Sequence, residues 1–358
     1  MQNPPRALID VSALRHNLAR VREIAPGARV MAVLKANAYG HGLETAAAAL
    51  ADADGLAVAR IEEALALRAA GSRNRILLLQ GASSAAQLAM AARDGFDVMV
   101  HSLEQLVMLE QRPPGAMLRT WIKLDTGMNR LGFRVEEFAG ALARLVRIDG
   151  VAPDPTIVTH LASADEVADP KTQQQLDSFE AATRAVPGER SIANSAAILA
   201  WPASRRDWVR PGLMLYGASP FPRGSGTDIG LRPVMTFQAE VIAVKTVEAG
   251  ETVGYGGAWR AGSRTSMAVI SVGYGDGYPR SAGPGTPVLV DGQRAPLIGR
   301  VSMDMVTADV TGLPGVRVGA PVELWGGMLP IEDIARCADR IPYELACGVT
   351  PRVPRIIR

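Results

Sequence analysis

The chain has 358 residues, 48% hydrophobic and 21% charged, and its 38 basic and 36 acidic residues leave a formal charge of +2. This balance is typical of a globular protein of about two domains, and it lacks the blocks of like charge that indicate a nucleic-acid groove or an anionic membrane surface. No run approaches the roughly 20 consecutive apolar residues of a membrane span, and no signal peptide is evident, so we expect a cytoplasmic protein.

Apolar runs dominate the first two thirds of the chain. An amphipathic helix with Asp10 and Ser12 as its caps is predicted first, and eight short apolar runs follow, all but the last two separated by segments able to form a helix. The runs are residues 28–36, 55–60, 75–80, 97–100, 118–125, 156–162, 190–195 and 208–217. A doubly wound sheet fits the first five units equally well, but eight runs favour a (β/α)8 TIM-type barrel over residues 1–225.

The pattern changes after the barrel. A polar, glycine-rich linker at residues 221–230 is followed by strand-like segments with turn signals and no helices between them. This succession predicts a mostly antiparallel β-domain over residues 226–358, with a late helix at Ile331–Cys337. Cys337 and Cys347 fit neither a metal site nor a redox pair, so we expect no metal.

Lysine is scarce in this chain, and Lys35 lies at a position where its amine could act as a nucleophile. Only Lys35, Lys123, Lys171 and Lys245 occur. Lys35 ends the apolar run MAVLK, which would place its amine at the mouth of the barrel, where barrel enzymes carry their active sites. A desolvated lysine has a lowered pKa and can form an imine with a carbonyl. A lysine that only extends its charge into solvent is commoner, but the small number of lysines favours the chemical interpretation.

Two features after later strands suggest a phosphorylated ligand. Arg210, Pro211 and Gly212 lie in the eighth run, and loops around strands seven and eight of a barrel commonly bind phosphate. Asn194 and Ser195 precede an apolar helix and could donate to the same phosphate, although Ser195 alone would more often be a simple helix cap.

Cations and a histidine also follow barrel strands. Lys123 and Arg130 flank a turn after the fifth strand, so either one points away or an anion lies between them. His160, after the sixth strand, is expected to have a supporting role. In the β-domain, Tyr255 and Tyr274 are embedded in glycine, which allows either a close approach to another surface or an ordinary hairpin loop.

These segments together resemble the alanine racemase family nearly from end to end. The order and spacing of the motifs carry the resemblance, and the first and seventh are the most specific. The motifs are AVLKANAYGHG (32–42), KLDTGMNRLGF (123–133), THLASAD (159–165), ANSAA (193–197), RPGLMLYG (210–217), VGYGGAW (253–259), SVGYGDGYPR (271–280), RVSMDM (300–305) and IPYELAC (341–347). Ser302 departs from relatives that have cysteine there, at a position without a chemical role.

The resemblance implies pyridoxal 5'-phosphate as the cofactor, carried by Lys35 as a Schiff base. Arg130 would bind the phenolic oxygen of the cofactor, and Arg210 would lie opposite its pyridine nitrogen with His160 hydrogen-bonded nearby. Lys123 matches a position that is carbamylated in some members, and a carbamate would remove the repulsion from Arg130. The phosphate would be held by Tyr39, Ser195, Gly212, Leu213 and Tyr343.

The resemblance also implies a homodimeric isomerase that interconverts L-alanine and D-alanine by a two-base mechanism on a pyridoxal-phosphate aldimine. Lys35 would serve the D-alanine face and Tyr255 the L-alanine face, and Arg130 and Met303 would bind the substrate. Tyr255 and Met303 of one subunit would complete the site of the other. The enzyme would either supply D-alanine for peptidoglycan or break D-alanine down.

Two other functions remain open at this point. A decarboxylase with the same cofactor and domain plan would need a longer chain and further polar groups for a dibasic substrate. A non-catalytic pyridoxal-phosphate-binding barrel would lack the β-domain, whereas about 130 residues follow the barrel here.

Overall fold

The computed structural model describes residues 4–113 and 115–358. A first strand, β1 (Arg6–Ile9), precedes a closed barrel of eight parallel strands. The barrel closes because the last of these eight strands pairs with the first of the eight. The barrel strands are short and almost entirely buried, because one face fills the barrel and the other packs on helices. They are β2 Arg29–Val33, β3 Gly55–Val58, β4 Ile76–Leu78, β5 Asp97–Val100, β6 Thr120–Lys123, β7 Thr156–Val158, β8 Arg190–Ser191 and β9 Trp208–Val209. The predicted (β/α)8 barrel is confirmed.

Amphipathic helices cover the outside of the barrel. In the helix Val135–Leu145, for example, Phe138, Ala141 and Leu145 are buried at helical spacing. The predicted cap Asp10 accepts hydrogen bonds from the N–H groups of Ser12 and Ala13. The helical segments of this domain are α1 Val11–Ile24, α2 Lys35–Tyr39, α3 Leu43–Ala49, α4 Ile61–Ala69, α5 Ala85–Asp94, α6 Leu103–Glu110, α7 Val135–Leu145, α8 Lys171–Thr183 and α9 Ser195–Ala200.

The eighth apolar run is only partly a strand. β9 ends at Val209, and the remainder of the run forms a loop and the short 3-10 helix Leu213–Tyr216. Pro211 has no N–H to donate to a neighbouring strand, and its carbonyl oxygen accepts a hydrogen bond from the N–H of Val33. Arg210 and Gly212 therefore lie beyond the strand rather than within it, in the loop at the carboxyl end of the barrel.

The second domain is built on an eight-stranded, mostly antiparallel sheet, as predicted. A separate two-stranded ribbon, β11–β12, lies beside it. Helices α10 (Ile331–Cys337) and α11 (Pro342–Gly348) precede the last strand. The strands are β10 Met235–Val247, β11 Thr252–Val253, β12 Trp259–Arg260, β13 Thr265–Ile270, β14 Pro287–Val290, β15 Gln293–Ile298, β16 Val306–Asp309, β17 Pro321–Trp325 and β18 Arg355–Ile357.

The two domains share secondary structure. β1 lies in the second sheet, antiparallel to β10 and parallel to β18. Buried Glu332 on α10 accepts hydrogen bonds from the N–H groups of Ser219 and Gly226, and this ties the linker to the β-domain. The division of the chain between residues 225 and 226 stays a prediction.

Within the described residues, no helix has both the length and the apolar character that crossing a membrane requires.

Candidate active site

The segment that follows the first barrel strand is a turn of left-handed helix. Ala36, Asn37, Ala38 and Tyr39 have φ between 53° and 56°, and Gly40 ends the turn at φ 81°. Side chains of L-residues crowd the backbone in this conformation, at a cost of roughly 1–2 kcal/mol per residue. A Cβ on Gly40 would lie 2.1 Å from the carbonyl oxygen of Ala346, so the turn packs tightly against α11.

Polar side chains support this turn. Asn37 Oδ1 accepts a hydrogen bond from the N–H of Leu43 at 2.8 Å. The buried ring of His41 stacks on Tyr216, and its Nδ1 lies 3.0 Å from the carbonyl oxygen of Ala38 and 2.9 Å from that of Tyr39. Burial lowers the pKa of His41 to about 4, so the ring is neutral and donates from Nδ1 to both carbonyls.

The turn brings Lys35 and Tyr39 to a cavity at the carboxyl ends of the barrel strands. The cavity has a volume of about 360 Å³. Eleven of the thirteen residues singled out in the sequence line it, namely Lys35, Tyr39, Lys123, Arg130, His160, Asn194, Ser195, Arg210, Gly212, Leu213 and Tyr343. The structure therefore gathers these residues at one place, and their individual roles stay predictions.

Four cations face this cavity, and no carboxylate is among its described lining residues. Desolvation and the nearby charge of Arg130 lower the pKa of Lys35. Desolvation, with Arg210 and Arg130 adding repulsion, lowers the pKa of Lys123 to about 8. Two amines are thus less costly to deprotonate than ordinary lysines, and the cavity favours an anionic ligand.

Arg210 is the most constrained of the cations. Its Nη1 donates to Ser191 Oγ at 2.7 Å, and its Nη2 donates to the carbonyl oxygen of Thr159 at 2.7 Å. Nη2 also lies 3.4 Å from Nδ1 of His160. Burial lowers the pKa of Arg210 to about 10, and burial together with Arg210 holds the pKa of His160 well below its usual range. His160 is therefore neutral and accepts at Nδ1, because a guanidinium can only donate.

Hydroxyl and backbone groups converge at another side of the cavity. Ser195 Oγ accepts hydrogen bonds from the N–H groups of Gly212 and Met214, so its own proton is available to a ligand. A Cβ on Gly212 would lie 2.6 Å from the hydroxyl oxygen of Tyr39, so a larger residue at this position would have to displace that hydroxyl. The Leu213 N–H lies in the first turn of the 3-10 helix Leu213–Tyr216, where backbone donors lack intrahelical partners.

Tyr255 and Met303 lie outside this cavity. These residues are 68% and 53% exposed on the β-domain, and neither lines the cavity of its own chain. Their loops pack together, since a Cβ on Gly254 would lie 3.4 Å from the backbone nitrogen of Arg300. The loop that contains Tyr274 packs against the same segment, because the N–H of Gly275 donates to the carbonyl oxygen of Met303 at 2.9 Å. Tyr255 and Met303 thus share one exposed surface.

Sequence reasoning missed a buried amide behind the cavity. Gln175 on α8 accepts a hydrogen bond from the N–H of Ala162 at 2.8 Å and donates to the carbonyl oxygen of His160 at 3.1 Å. It also donates to the hydroxyl of Thr126 at 3.3 Å, and Thr126 is hydrogen-bonded to Thr159. A polar residue among other polar residues on a helix carries no periodic signal, so only the three-dimensional contacts reveal it.

A closed parallel barrel with two lysine amines and two arginines at its carboxyl end, joined to an antiparallel sheet, defines a two-domain barrel enzyme. Family models described as the N-terminal and C-terminal domains of alanine racemase match residues 9–220 and 234–357. The chain therefore belongs to the alanine racemase family, and it is an amino-acid racemase of the pyridoxal-phosphate-dependent class.

Similar proteins agree over the whole length. An alanine racemase of Nitrosococcus oceani is 52% identical over 354 residues, which are 99% of each chain. The solved structure of the biosynthetic alanine racemase from Pseudomonas aeruginosa superposes with a TM-score of 0.97 at 45% identity and covers 100% of both chains. The structure of the Acinetobacter baumannii alanine racemase gives a TM-score of 0.94 at 38% identity, again over 100% of both chains. The family resemblance predicted from the motifs is confirmed.

Proposed function

We propose that this chain interconverts L-alanine and D-alanine, with pyridoxal 5'-phosphate attached to Lys35. The observation that carries the proposal is the cavity in which the amine of Lys35 faces Arg130, Lys123 and Arg210 without a lining carboxylate. The names and high identity of the relatives add independent support for alanine as the substrate.

The residues present fit this cofactor. Its phosphate needs several donors, and the hydroxyls of Tyr39 and Ser195, the backbone of Gly212 and Leu213, the side chain of Asn194 and the hydroxyl of Tyr343 would provide them. Its phenolic oxygen is an anion and would pair with Arg130. Its pyridine nitrogen would face Arg210, whose Nη1 and Nη2 donate to protein acceptors and whose guanidinium has further N–H groups for a ligand. The carbonyl would meet Lys35.

When bound, the cofactor supplies an electron sink that makes the α-proton of the substrate acidic. The protein must then remove that proton from one face of the α-carbon and return a proton to the other face. Lys35 Nζ would hold and move the proton on the D-alanine face, because its lowered pKa favours a neutral, basic amine. Arg210 keeps its own proton near neutral pH, since even its lowered pKa is about 10.

Tyr255 would supply the opposite face from a second subunit. It lies outside the cavity of its own chain and is largely exposed beside Met303. A homodimer that places this surface over the partner's cavity would bring the Tyr255 hydroxyl to the L-alanine face and Met303 to the substrate. The enzyme is thus proposed to act as a dimer with shared sites.

Lys123 is the proposed site of carbamylation. A pKa near 8 leaves a useful fraction of its amine neutral at mildly alkaline pH, and a neutral amine is the form that reacts with carbon dioxide. The resulting carbamate would exchange a positive charge for a negative one, which would attract Arg130 instead of repelling it.

The direct test is a racemisation assay on L-alanine, with and without added pyridoxal 5'-phosphate and with L-serine in parallel. We expect loss of optical rotation with alanine that depends on the cofactor, and the serine reaction measures how far another small amino acid is accepted. Release of carbon dioxide, or unchanged rotation in the presence of cofactor, would overturn the proposal. A role in peptidoglycan supply or in D-alanine breakdown belongs to the same proposal and follows from the sequence resemblance alone, and the cytoplasmic location stays an expectation of the sequence analysis.

A further inference from the structure

One carboxylate outside the cavity contacts the segment that carries Lys35. Glu63 lies in the first turn of α4, and its Oε1 accepts a hydrogen bond from the N–H of Ala36 at 2.7 Å. Its Oε2 accepts from the N–H groups of Ala59 at 2.9 Å and Arg60 at 3.2 Å. A single side chain therefore connects the residue after Lys35 to the end of β3 and the start of α4.

The contact falls at the point where the left-handed turn begins. Within the turn and its flanks, Ala38 N–H donates to the carbonyl oxygen of Leu34 and Gly40 N–H to that of Ala36. The N–H of Ala36 lies at the start of the turn, before these two hydrogen bonds, and it donates to the carboxylate of Glu63. Because left-handed residues persist only where surrounding contacts determine them, the first residue of the turn needs such an anchor.

The hydrogen bond between Ala36 and Glu63 also determines the direction that the chain takes after Lys35. Lys35 and Tyr39 stand at opposite ends of the turn and both line the cavity. If Ala36 relaxed to the ordinary right-handed or extended region, the chain direction after Lys35 would change and the two side chains would no longer face the same space.

We propose that Glu63 is a positioning residue, whose carboxylate holds Ala36 at the start of the left-handed turn so that Lys35 and Tyr39 converge on one ligand. The inference rests on the proposed function only in taking Lys35 as the attachment point of the cofactor. Sequence patterns give no hint of this role, since Glu63 reads as an ordinary acidic residue in the first turn of a helix.

The chain offers a matched control. Glu137 occupies the same third position of α7 and accepts a hydrogen bond from the N–H of Arg134 at 3.0 Å, as Glu63 does from Arg60. Replacing Glu137 with alanine removes the same type of helix-start contact at an exposed site, away from the residues that line the cavity. It therefore measures the effect of losing the helix-start contact alone.

The first measurement uses full-length apoprotein titrated with pyridoxal 5'-phosphate, followed by borohydride reduction and peptide mapping of Lys35. For Glu63→Ala we expect the apparent dissociation constant to rise about tenfold, comparable to losing one hydrogen bond to a charged group. Glu137→Ala is expected to bind as the unaltered protein does. Equal weakening in both variants, or no weakening in Glu63→Ala, would overturn the proposal.

The second measurement needs no cofactor. In the apoprotein, hydrogen exchange of the peptide covering residues 32–43 is expected to be faster in Glu63→Ala than in Glu137→Ala, because the turn has lost its anchor. If Glu63→Ala is poorly folded, Glu63→Gln retains one acceptor oxygen and is expected to give a smaller change in the same direction. Unchanged exchange in a folded variant of Glu63 contradicts the inference.

A second substitution separates geometry from charge. Glycine adopts positive φ without a Cβ penalty, so adding Ala36→Gly to Glu63→Ala is expected to recover a large part of the lost affinity. An effect carried only by the negative charge of Glu63 would not be recovered, and that result overturns the proposal. If the unaltered chain fails to label at Lys35, the proposed function fails instead, and the exchange measurement still tests the anchor.

Discussion

At the scale of single residues, the cavity places cations so close together that each affects the protonation of its neighbours. Lys123 is the clearest example, because desolvation, Arg210 and Arg130 all act to lower its pKa. The folded chain therefore resists charging Lys123, whereas the unfolded chain charges it as an ordinary lysine.

This asymmetry predicts a dependence of stability on pH. Between the folded pKa of about 8 and the ordinary value of 10.5, the unfolded chain binds more protons at Lys123 than the folded chain does. The free energy of unfolding should therefore rise with pH across this window through this group. We expect the rise to be smaller in Lys123→Met, measured on carbon-dioxide-free apoprotein by denaturant unfolding. An identical pH profile in both proteins would contradict the assignment.

Arg210 carries a second prediction at this scale. A glutamate in its place could share a proton with the pyridine nitrogen, whereas arginine near neutral pH cannot give one up. A protonated pyridine ring would withdraw electrons from the substrate more strongly and would favour side reactions. We therefore expect Arg210→Glu to raise transamination relative to racemisation, measured as pyruvate formed per alanine inverted. Arg210→Lys, which keeps a cation, is the control, and an unchanged ratio in Arg210→Glu would refute the electronic role.

At the scale of elements, α8 supports the loops that follow two barrel strands. Gln175 is buried and connects Thr126, after β6, to His160 and Ala162, after β7. His160 and the carbonyl of Thr159 in turn contact Arg210. The position of Arg210 thus depends on a helix whose own residues do not line the cavity.

The corresponding prediction concerns Gln175→Leu. The substitution fills similar volume but leaves the Ala162 N–H and the His160 carbonyl without their partner, which should destabilise the fold by about 1–3 kcal/mol. We also expect weaker cofactor binding, since the loop that holds Arg210 is loosened. Gln174→Leu, on an exposed position of the same helix, is the control for thermal unfolding and cofactor titration. Equal midpoints of thermal unfolding and of cofactor titration in the two variants would show that the hydrogen bonds of Gln175 are dispensable.

Elements also show what sequence reasoning can and cannot provide. Short apolar runs predicted the barrel strands because burial on both faces leaves a direct trace in residue type. The left-handed turn after Lys35 leaves none, since Ala36 and Ala38 are ordinary helix formers and their φ values follow from packing against Glu63, His41 and α11. The pairing of β1 with β10 was also not predicted, because it joins segments more than 200 residues apart.

At the scale of the whole molecule, the proposed shared site predicts complementation between inactive variants. Lys35→Ala and Tyr255→Phe each remove one of the proposed bases. A mixed dimer of the two would contain one site with both native residues, if Tyr255 serves the partner's cavity. Random re-assortment of equal amounts should restore about a quarter of the native activity, since half the dimers are mixed and each has one intact site.

The measurement is the racemisation rate after the two variants are unfolded together and refolded, compared with refolding each alone. Lys245→Ala, at an exposed lysine of the β-domain, serves as a control for general damage and should retain full activity. A mixture no more active than its components would place both bases in one chain and contradict the shared site.

The position of β1 has a consequence for how the protein is made. A chain leaves the ribosome amino end first, so Arg6–Ile9 emerges long before its neighbours Met235–Val247 and Arg355–Ile357. The barrel can close early from local units, whereas β1 cannot form its sheet hydrogen bonds before β10 and β18 have been synthesised. Arg6–Ile9 and Arg355–Ile357 thus lie side by side in one sheet, and the earliest strand of the chain stays without sheet partners until the second domain has been made.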